Sequence, residues 1–145
     1  MTLRPARDSD APALAVLTTQ LGYPTGPEEA AARLRALQGS PGDAVLVAVP
    51  EEGEVIGWIH VTAVRGLELP PYALIVGLVV DEDHRGRGIG EELVEAAAEW
   101  ARRNGCDTLR VRSNTVRVRA HAFYERLGFT RQKTQVSLVR RIGGE

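Results

Sequence analysis

The chain has 145 residues, of which 43% are hydrophobic and 26% are charged, and its formal net charge is −1. This size and composition fit one globular domain, residues 1–145, and the balanced charge argues against a nucleic-acid-binding protein, which would carry a basic excess. The single cysteine, Cys106, excludes an intramolecular disulfide and a cysteine-based zinc site; it fits a cytoplasmic protein and is expected to be a small buried side chain.

The first part of the chain predicts a short strand and two helices. "TLRPA" reads as an edge strand, because Pro5 is tolerated only near an edge. Asp8 or Ser9 is expected to cap the first helix, which ends at Gly22, and Pro27 is expected in the first turn of the second. The apolar positions at helical spacing are Ala13, Leu14, Leu17, Leu21, Leu34 and Leu37.

Three strands are predicted next. "DAVLVAV" and "EVIGWIHVTAV" are predicted strands, and "PEEGE" between them is a hairpin loop. "ALIVGLVV", from Ala73 to Val80, is apolar throughout, so we expect a central strand covered on both faces. This run is too short to span a bilayer, and no segment resembles a signal peptide, so no membrane association is expected.

The last part of the chain predicts a helix, a strand, a helix and a closing strand. The first of these helices ends at Gly105, "TLRVRSN" is a half-buried strand, a helix from Arg117 to Leu127 ends at Gly128, and "FTRQKTQVSLV" is the closing strand. The buried stripe of the first helix is expected to hold Ile89, Leu93, Ala96, Ala97 and Trp100. The element order predicts a mixed sheet with helices on both faces.

Between the central strand and its following helix lie three glycines spaced two apart, Gly86, Gly88 and Gly90, beside Arg85 and Arg87. The first N–H groups of a helix have no partner within it, and the helix dipole places positive potential there. Glycines let an anion approach the backbone closely. The stretch therefore predicts a phosphate or pyrophosphate site, against the alternative of a merely tight turn.

Two familiar phosphate motifs do not match this stretch. A P-loop requires Gly-Lys-Ser/Thr where the chain has Gly90-Glu91-Glu92, and the dinucleotide pattern G-x-G-x-x-G requires glycine where the chain has Glu91 or Leu93. What the stretch does resemble is the R-x-x-G-x-G/A signature of the GCN5-related N-acetyltransferase (GNAT) superfamily, in Arg85 to Gly90. "AHAFYERLGF", Ala120 to Phe129, is similar to the second motif of that family.

The resemblance extends over nearly the whole chain and implies a fold: a mixed, mostly antiparallel sheet with a splayed V-shaped central cleft, flanked by helices. It also implies that acetyl-coenzyme A is the cosubstrate and that no metal takes part. The pantetheine arm would pair with the central strand, and the backbone N–H groups from Arg85 to Glu91 would hold the pyrophosphate. The implied cofactor-binding residues are Leu78, Val79, Val80, Arg85, Gly86, Arg87, Gly88, Ile89, Gly90, Glu91, Asn114 and Phe123.

The same resemblance assigns Tyr124 as the acid that assists the leaving thiolate, with core packing as its structural alternative. Some family members carry a glutamate base on the central strand, where this chain has Leu74, which takes no proton. His60 is the candidate base, because histidine titrates near neutrality, and a packed or surface histidine is the alternative. Glu68 is the second candidate.

His84 and His121 are expected to face solvent, and the three histidines are too scattered for a metal site. The residues and the resemblance together predict transfer of an acetyl group to an amine of a small molecule or peptide, by direct attack through a tetrahedral intermediate. The alternative is a non-catalytic acyl-coenzyme A sensor, which the missing strand glutamate favours. The loops "YPTGPEE" and "RGLELPPY" are expected to line the acceptor pocket, and dimerisation, common in the family, makes a homodimer an expectation.

Overall fold

The computed structural model describes residues 1–113 and 117–144, which fall into two compact units, Met1–Arg112 and Ser113–Glu145. In the first unit the strands are β1 (Thr2–Pro5), β2 (Asp43–Val49), β3 (Gly57–Val64), β4 (Tyr72–Val80) and β5 (Leu109–Val111), and the α-helices are α1 (Ala11–Leu21), α2 (Pro27–Gln38) and α3 (Ile89–Arg103). The second unit contains α4 (Val118–Arg126). None of the helices in the described ranges is long and apolar enough to cross a membrane.

The five strands form one sheet in the order β1-β2-β3-β4-β5, so each strand lies beside its neighbours in sequence. The first four are antiparallel, because the connections between β2, β3 and β4 are short enough to reverse the chain. β5 is parallel to β4, since α3 carries the chain back across the sheet before β5 begins. The mixed, mostly antiparallel sheet that the sequence predicts is confirmed.

Helices cover both faces of this sheet. One face of the sheet contributes Val47 and Val79 to a core packed against α1 and α2, which supply Leu14, Leu17 and Leu34. The other face meets α3: a Cβ added at Gly57 would lie 3.2 Å from Leu93 and 3.6 Å from Ile89. The buried residues of α3 are Ile89, Leu93, Val94, Ala97 and Ala101, whereas the predicted Ala96 and Trp100 are half-buried.

The helix boundaries follow the residues that the sequence marks. α1 ends at Gly22, whose φ of 114° is a left-handed conformation that glycine adopts without strain. α2 begins at Pro27, and the Glu29 side chain accepts the Gly26 N–H at 3.0 Å, which satisfies one of the free donors at the helix start. Cys106, just beyond α3, is buried as predicted.

The start of α1 differs from the prediction. A single turn of 3₁₀ helix, Asp8–Asp10, precedes α1, and neither Asp8 nor Ser9 caps it through a side chain. The residue that fixes this turn is Asp10: its carboxylate accepts the Arg7 N–H at 2.7 Å and two hydrogen bonds from the Arg4 guanidinium, at 2.7 and 3.0 Å. The capping prediction was wrong because Arg4 of β1 binds Asp10, and this contact makes Asp10 the residue that orders the helix start in place of Asp8 or Ser9.

β4 is not covered along its whole length. Between the pairs His60–Gly77 and Val61–Ile75 the register of β3 and β4 shifts by one residue, which leaves Val76 as the extra residue of a β-bulge. Val76 is 55% exposed, while Ala73, Leu74, Ile75 and Val79 are buried. The expected burial on both faces fails at this position, because a bulge rotates the extra residue out of the pleat.

In the second unit, α4 begins one residue after the predicted Arg117 and ends at the turn containing Gly128, whose φ is 92°. The predicted closing strand is wrong: none of the described residues after Phe129 forms a strand. The apolar side chains Val136, Leu138, Val139 and Ile142 are between 82% and 92% exposed. Alternating apolar residues favour a strand only where a partner strand supplies the backbone hydrogen bonds, and the described residues provide none there.

Candidate functional site

The glycine turn between β4 and α3 presents a row of free backbone donors. Gly86 and Gly88 have φ values of 81° and 80°, and a Cβ at either position would have no heavy atom within 4 Å. Glycine is therefore required there by backbone conformation, and the space above the turn is open. Among the described residues, no hydrogen-bond acceptor pairs with a backbone N–H from Arg85 to Glu91. The turn has the donors and the room that an anion needs.

Side chains on this turn add positive charge at its exposed rim. Arg85 and Arg87 are both exposed, and the Arg85 Nε donates to the Val80 carbonyl at 3.1 Å, which holds that side chain over the end of β4. Ile89 is buried under α3, so it anchors the helix start with its side chain and can offer only its backbone N–H to a ligand. Gly90 lies in the first turn of α3, and Glu91 is exposed there.

Asp81 fixes the beginning of the turn. Its carboxylate accepts a hydrogen bond from the Gln20 amide at 2.8 Å and contacts the His84 Nδ1 at 2.6 Å, while its backbone N–H donates to Ile56 at 2.8 Å. The Gln20 carbonyl in turn accepts the Glu82 N–H at 3.0 Å. Hydrogen bonds from Gln20 and then His84 lower the pKa of Asp81, so it is ionised at neutral pH. No motif in the sequence predicts these hydrogen bonds between α1 and the turn.

His84 is therefore not a simple solvent-facing side chain, as the sequence predicted. Its side chain is 33% exposed and its Nδ1 is held by Asp81 three residues earlier. The prediction failed because the 3₁₀ turn Glu82–His84 brings the imidazole back to the carboxylate of Asp81, the residue directly after β4. The other outlying histidine, His121, is also half-buried, and its Nδ1 lies 3.2 Å from the Arg131 guanidinium.

Next to the turn, β4 has an edge on which none of the described strands pairs. β5 pairs with Ala73, Leu74 and Ile75, and among the described residues it does not pair with β4 beyond this point. The three residues assigned to the pantetheine arm, Leu78, Val79 and Val80, lie in the part of β4 beyond the end of that pairing. An unpaired strand edge is a template for one more extended segment.

Trp58 covers β4 where the pairing with β5 ends. Its ring would lie 2.8 and 2.9 Å from a Cβ added at Gly77, so only glycine lets the indole lie against the strand. The indole Nε1 is buried and has no hydrogen-bond partner within the described ranges. The requirement for Gly77 is not visible in the sequence, where glycine in an apolar run signals only a bulge or a close approach.

His60 lies opposite Gly77, at the bulge between β3 and β4. Its Nε2 is 2.7 Å from the Asp43 Oδ1, and both side chains are less than 20% exposed. The Ser40 hydroxyl donates to the second carboxylate oxygen at 2.7 Å. His60 is thus neither loose on the surface nor packed among apolar groups alone. Asp43 was missed because it is the diagonal neighbour of His60 across two strands, which only the register reveals.

The two other positions considered for the base differ from His60. Leu74 is buried, consistent with a packing role. Glu68 is exposed in the connection between β3 and β4, before β4 begins at Tyr72. The described residues contain no group of three or more histidine, cysteine, aspartate or glutamate side chains arranged to hold a metal ion.

Tyr124 is the central ring of an aromatic group on α4. Phe123 and Phe129 contact it edge to face, with ring centroids 5.0 and 5.3 Å away. Burial raises the pKa of Tyr124, although the positive charge of Arg117 opposes this, so the phenol is protonated at neutral pH. Asn114, which the resemblance assigns to the cofactor, lies outside the residues that the structure describes.

The glycine turn, the open edge of β4 and the sheet order agree with a known family. The sequence profile of the acetyltransferase (GNAT) family matches residues 12–129. The chain belongs to the GNAT acetyltransferase family. The resemblance read from the two motifs is therefore confirmed.

Two relatives are similar over most of the GNAT chain described here. An aminoglycoside N(6')-acetyltransferase type 1 of Stenotrophomonas maltophilia is 32% identical over 132 residues, which covers 88% of this chain and 85% of the relative. The solved structure of a putative acetyltransferase of Agrobacterium tumefaciens is 32% identical, covers 97% of this chain and 100% of that chain, and superimposes with a TM-score of 0.85.

A third, more distant structure supports the fold of this GNAT chain alone. An aminoglycoside N-acetyltransferase solved in complex with CoA is 19% identical, covers 97% of this chain and 95% of that chain, and has a TM-score of 0.86.

Proposed function

We propose that the protein is an acetyl-coenzyme A-dependent N-acetyltransferase that transfers the acetyl group to an amine of a small molecule or peptide. The observation that carries this proposal is the row of free N–H groups from Arg85 to Glu91, directly after the open edge of β4, in a chain of the GNAT family. The pyrophosphate would accept hydrogen bonds from the turn, with Arg85, Gly86, Arg87, Gly88, Ile89, Gly90 and Glu91 as its backbone donors.

The acyl arm would lie along the uncovered part of β4. An extended arm carrying amide groups can pair with the backbone of Leu78, Val79 and Val80, much as a peptide adds to a sheet edge. Such pairing would place the thioester near Gly77, where the bulge redirects the strand. A backbone N–H aimed at the thioester oxygen would stabilise the negative charge that develops there when the amine attacks. Asn114 and Phe123 are also proposed to bind the cofactor, as the family resemblance implies.

The transfer needs an acid and a base besides the cofactor site. We assign Tyr124 to the leaving thiolate, because its phenol is protonated at neutral pH and can donate a proton or a hydrogen bond. His60 is assigned to the incoming amine, since it lies at the level of the bulge and holds a carboxylate partner. The exposed loop position of Glu68 gives it no such partner among the described residues and supports His60 over it.

The acceptor that the comparisons favour is a small-molecule amine, because two curated relatives are named as aminoglycoside N(6')-acetyltransferases. The test measures thiol release from acetyl-coenzyme A with a panel of primary amines, including an amino sugar, a polyamine and a lysine peptide. We expect thiol release that depends on one class of amine, and mass spectrometry should find that amine heavier by one acetyl group.

The alternative, a sensor that binds acyl-coenzyme A without turnover, is favoured only by Leu74 at the position of the strand glutamate. Calorimetric titration with coenzyme A separates the two. Tight binding with no thiol release for any amine would support the sensor, and absence of binding would contradict both readings.

A further inference from the structure

Asp43 and His60 form a hydrogen-bonded pair across two strands. Asp43 is the first residue of β2 and lies beside Thr62 of β3, so its carboxylate reaches back along the sheet to the His60 Nε2, 2.7 Å away. The second carboxylate oxygen accepts the Ser40 hydroxyl at 2.7 Å. Both members of the pair are largely shielded from water, with side-chain exposures of 16% for His60 and 17% for Asp43.

The pair determines which imidazole nitrogen carries the proton. Burial opposes ionisation of Asp43, but hydrogen bonds from Ser40, His60 and Thr62 outweigh it and lower the pKa of the carboxyl. An ionised carboxylate only accepts hydrogen bonds, so the His60 Nε2 must be the donor. In the neutral ring the lone pair is then at Nδ1, which has no hydrogen-bond partner among the described residues.

The position of His60 in the sheet gives this lone pair a role. His60 pairs with Gly77 at the bulge of β4, just beyond Ile75, where the pairing with β5 ends. Asp43 is the charged group that faces His60 from β2. Its partners along the sheet, Val45 of β2 and Gly77 of β4, are uncharged.

We propose that Asp43 is a positioning residue that holds His60 in the Nε2–H form, so that Nδ1 removes a proton from the acceptor. This inference rests on the proposed acetyltransferase function. The acceptor ammonium gives one proton to Nδ1, directly or through one water, and becomes a neutral amine. The amine then forms the C–N bond, the C–S bond breaks, and the second amine proton ends on the thiolate. The amide and the thiol are the products, and His60 returns its proton to solvent.

The first test changes Asp43→Asn, which keeps the shape of the side chain and removes its charge. The asparagine amide can donate to Nε2, and the proton then moves to Nδ1, where it blocks the base. We expect turnover to fall at least about tenfold, which is less than the full effect of general-base catalysis, about 10²–10⁴-fold, because the imidazole itself remains. The Michaelis constant for acetyl-coenzyme A and the dissociation constant of coenzyme A should stay within about twofold of those of the unmodified protein. Asp43 contacts Ser40 and His60, which are not part of the glycine turn.

The matched control is Asp107→Asn, the same chemical change at an exposed aspartate whose carboxylate accepts a hydrogen bond from the Thr108 hydroxyl. Its turnover should equal that of the unmodified protein. His60→Ala should change the shape of the pH–rate profile, because the variant lacks the proposed proton acceptor. Full turnover in a folded Asp43→Asn protein, or an unchanged pH profile in His60→Ala, would overturn the proposal.

A second measurement does not depend on activity. Nitrogen-15 NMR of the imidazole rings distinguishes the two neutral forms of histidine. We expect the Nε2–H form for His60 in the unmodified protein and a shift toward Nδ1–H in Asp43→Asn. An Nδ1–H form in the unmodified protein would overturn the proposal even if the enzyme is active. Conversely, the expected NMR result in a protein that acetylates no amine would count against the proposed function and leave the pairing of Asp43 and His60 intact.

Discussion

The carboxylate of Asp10 links β1 to the start of α1. Asp10 is 8% exposed and accepts two hydrogen bonds from Arg4 of β1 and one from the Arg7 N–H. The Arg4 hydrogen bond is the largest cause of the lowered pKa of Asp10, with burial opposing it. Removing one partner of such a pair leaves the other charge without compensation, which costs more than the pair contributes when intact.

Asp10→Ala should therefore lower the free energy of unfolding by about 2–4 kcal/mol at pH 7, where the carboxylate is ionised. Because the pKa is lower in the folded chain than the ordinary value of 3.8, this stabilisation is complete above that value and is lost as the pH falls below it. Urea unfolding of the two proteins across acidic pH measures this. The control Glu99→Ala removes an exposed carboxylate paired with Arg102 and should cost less than about 1 kcal/mol. An equal loss in both variants would contradict the argument.

Tyr124 is the residue on which the enzymatic reading depends most. Tyr124→Phe keeps the ring and its contacts with Phe123 and Phe129 but removes the hydroxyl. Coenzyme A is a moderately good leaving thiolate, so help from an acid is useful without being absolute. We expect turnover to fall by about 10²-fold, with the affinity for acetyl-coenzyme A nearly unchanged. Steady-state kinetics beside calorimetric titration checks both halves, and full activity would remove Tyr124 as the acid.

At the scale of elements, the glycine turn depends on backbone conformation more than on space. Gly88 precedes α3 with a φ of 80°, and Gly105 follows it with a φ of 78°. A Cβ at either position would meet no heavy atom within 4 Å, so alanine at each carries the same backbone strain. The two positions differ in that only Gly88 belongs to the row of free N–H groups.

Gly88→Ala should weaken coenzyme A binding at least about tenfold, which is roughly 1.4 kcal/mol. Alanine is strained at a φ of 80°, and a backbone that rotates to relieve this strain no longer directs its N–H groups at the pyrophosphate. Gly105→Ala is the matched control: it should lower the thermal midpoint to a similar extent and leave the affinity unchanged. Calorimetric titration of both folded variants decides the matter. Equal affinity in the two variants would mean that the turn does not hold the pyrophosphate.

At the scale of the whole molecule, the two described units differ in burial. In the first unit, Val47, Ile59, Val61 and Leu93 are fully buried, whereas Leu138 in the second is 89% exposed. A buried leucine reduced to alanine typically costs about 2–5 kcal/mol, and an exposed one less than about 0.5 kcal/mol. Leu93→Ala and Leu138→Ala therefore form a matched pair of variants. They test whether Leu138 is exposed, as in the structure, or buried in the closing strand that the sequence predicts.

We expect Leu93→Ala to lower the free energy of unfolding by about 2–5 kcal/mol and Leu138→Ala to leave it nearly unchanged. Amide hydrogen exchange should agree: slowest for the amides of β2 and β3, and fast for residues 130–142, whose backbone forms no strand. A large loss in Leu138→Ala, with slow exchange around it, would show that the segment is buried as a strand after all.

Features that depend on local chemistry could be predicted from the sequence alone. The glycine turn, the start of α2 at Pro27 and the ends of α1 and α3 follow from residues whose backbone preferences act within a few positions. The alternation in β3, which places Trp58, His60 and Thr62 on one face, and the buried stripe of α3 follow from the two periodicities of side-chain direction. The two family motifs could also be recognised in the sequence, because each lies within about ten consecutive residues.

Features that depend on strand register, or on contacts between residues far apart in the chain, became evident only from the fold. Asp43 contacts His60 from 17 positions away in the chain, and Gly77 lies beneath Trp58 from 19 positions away; strand pairing brings both pairs together. Gln20 binds Asp81 from 61 positions away, because α1 packs beside the turn. A bulge of one residue exposes Val76 in a run that is otherwise apolar. Such contacts have no local signature, because a side chain's preference for a partner is satisfied by whichever element the fold places beside it.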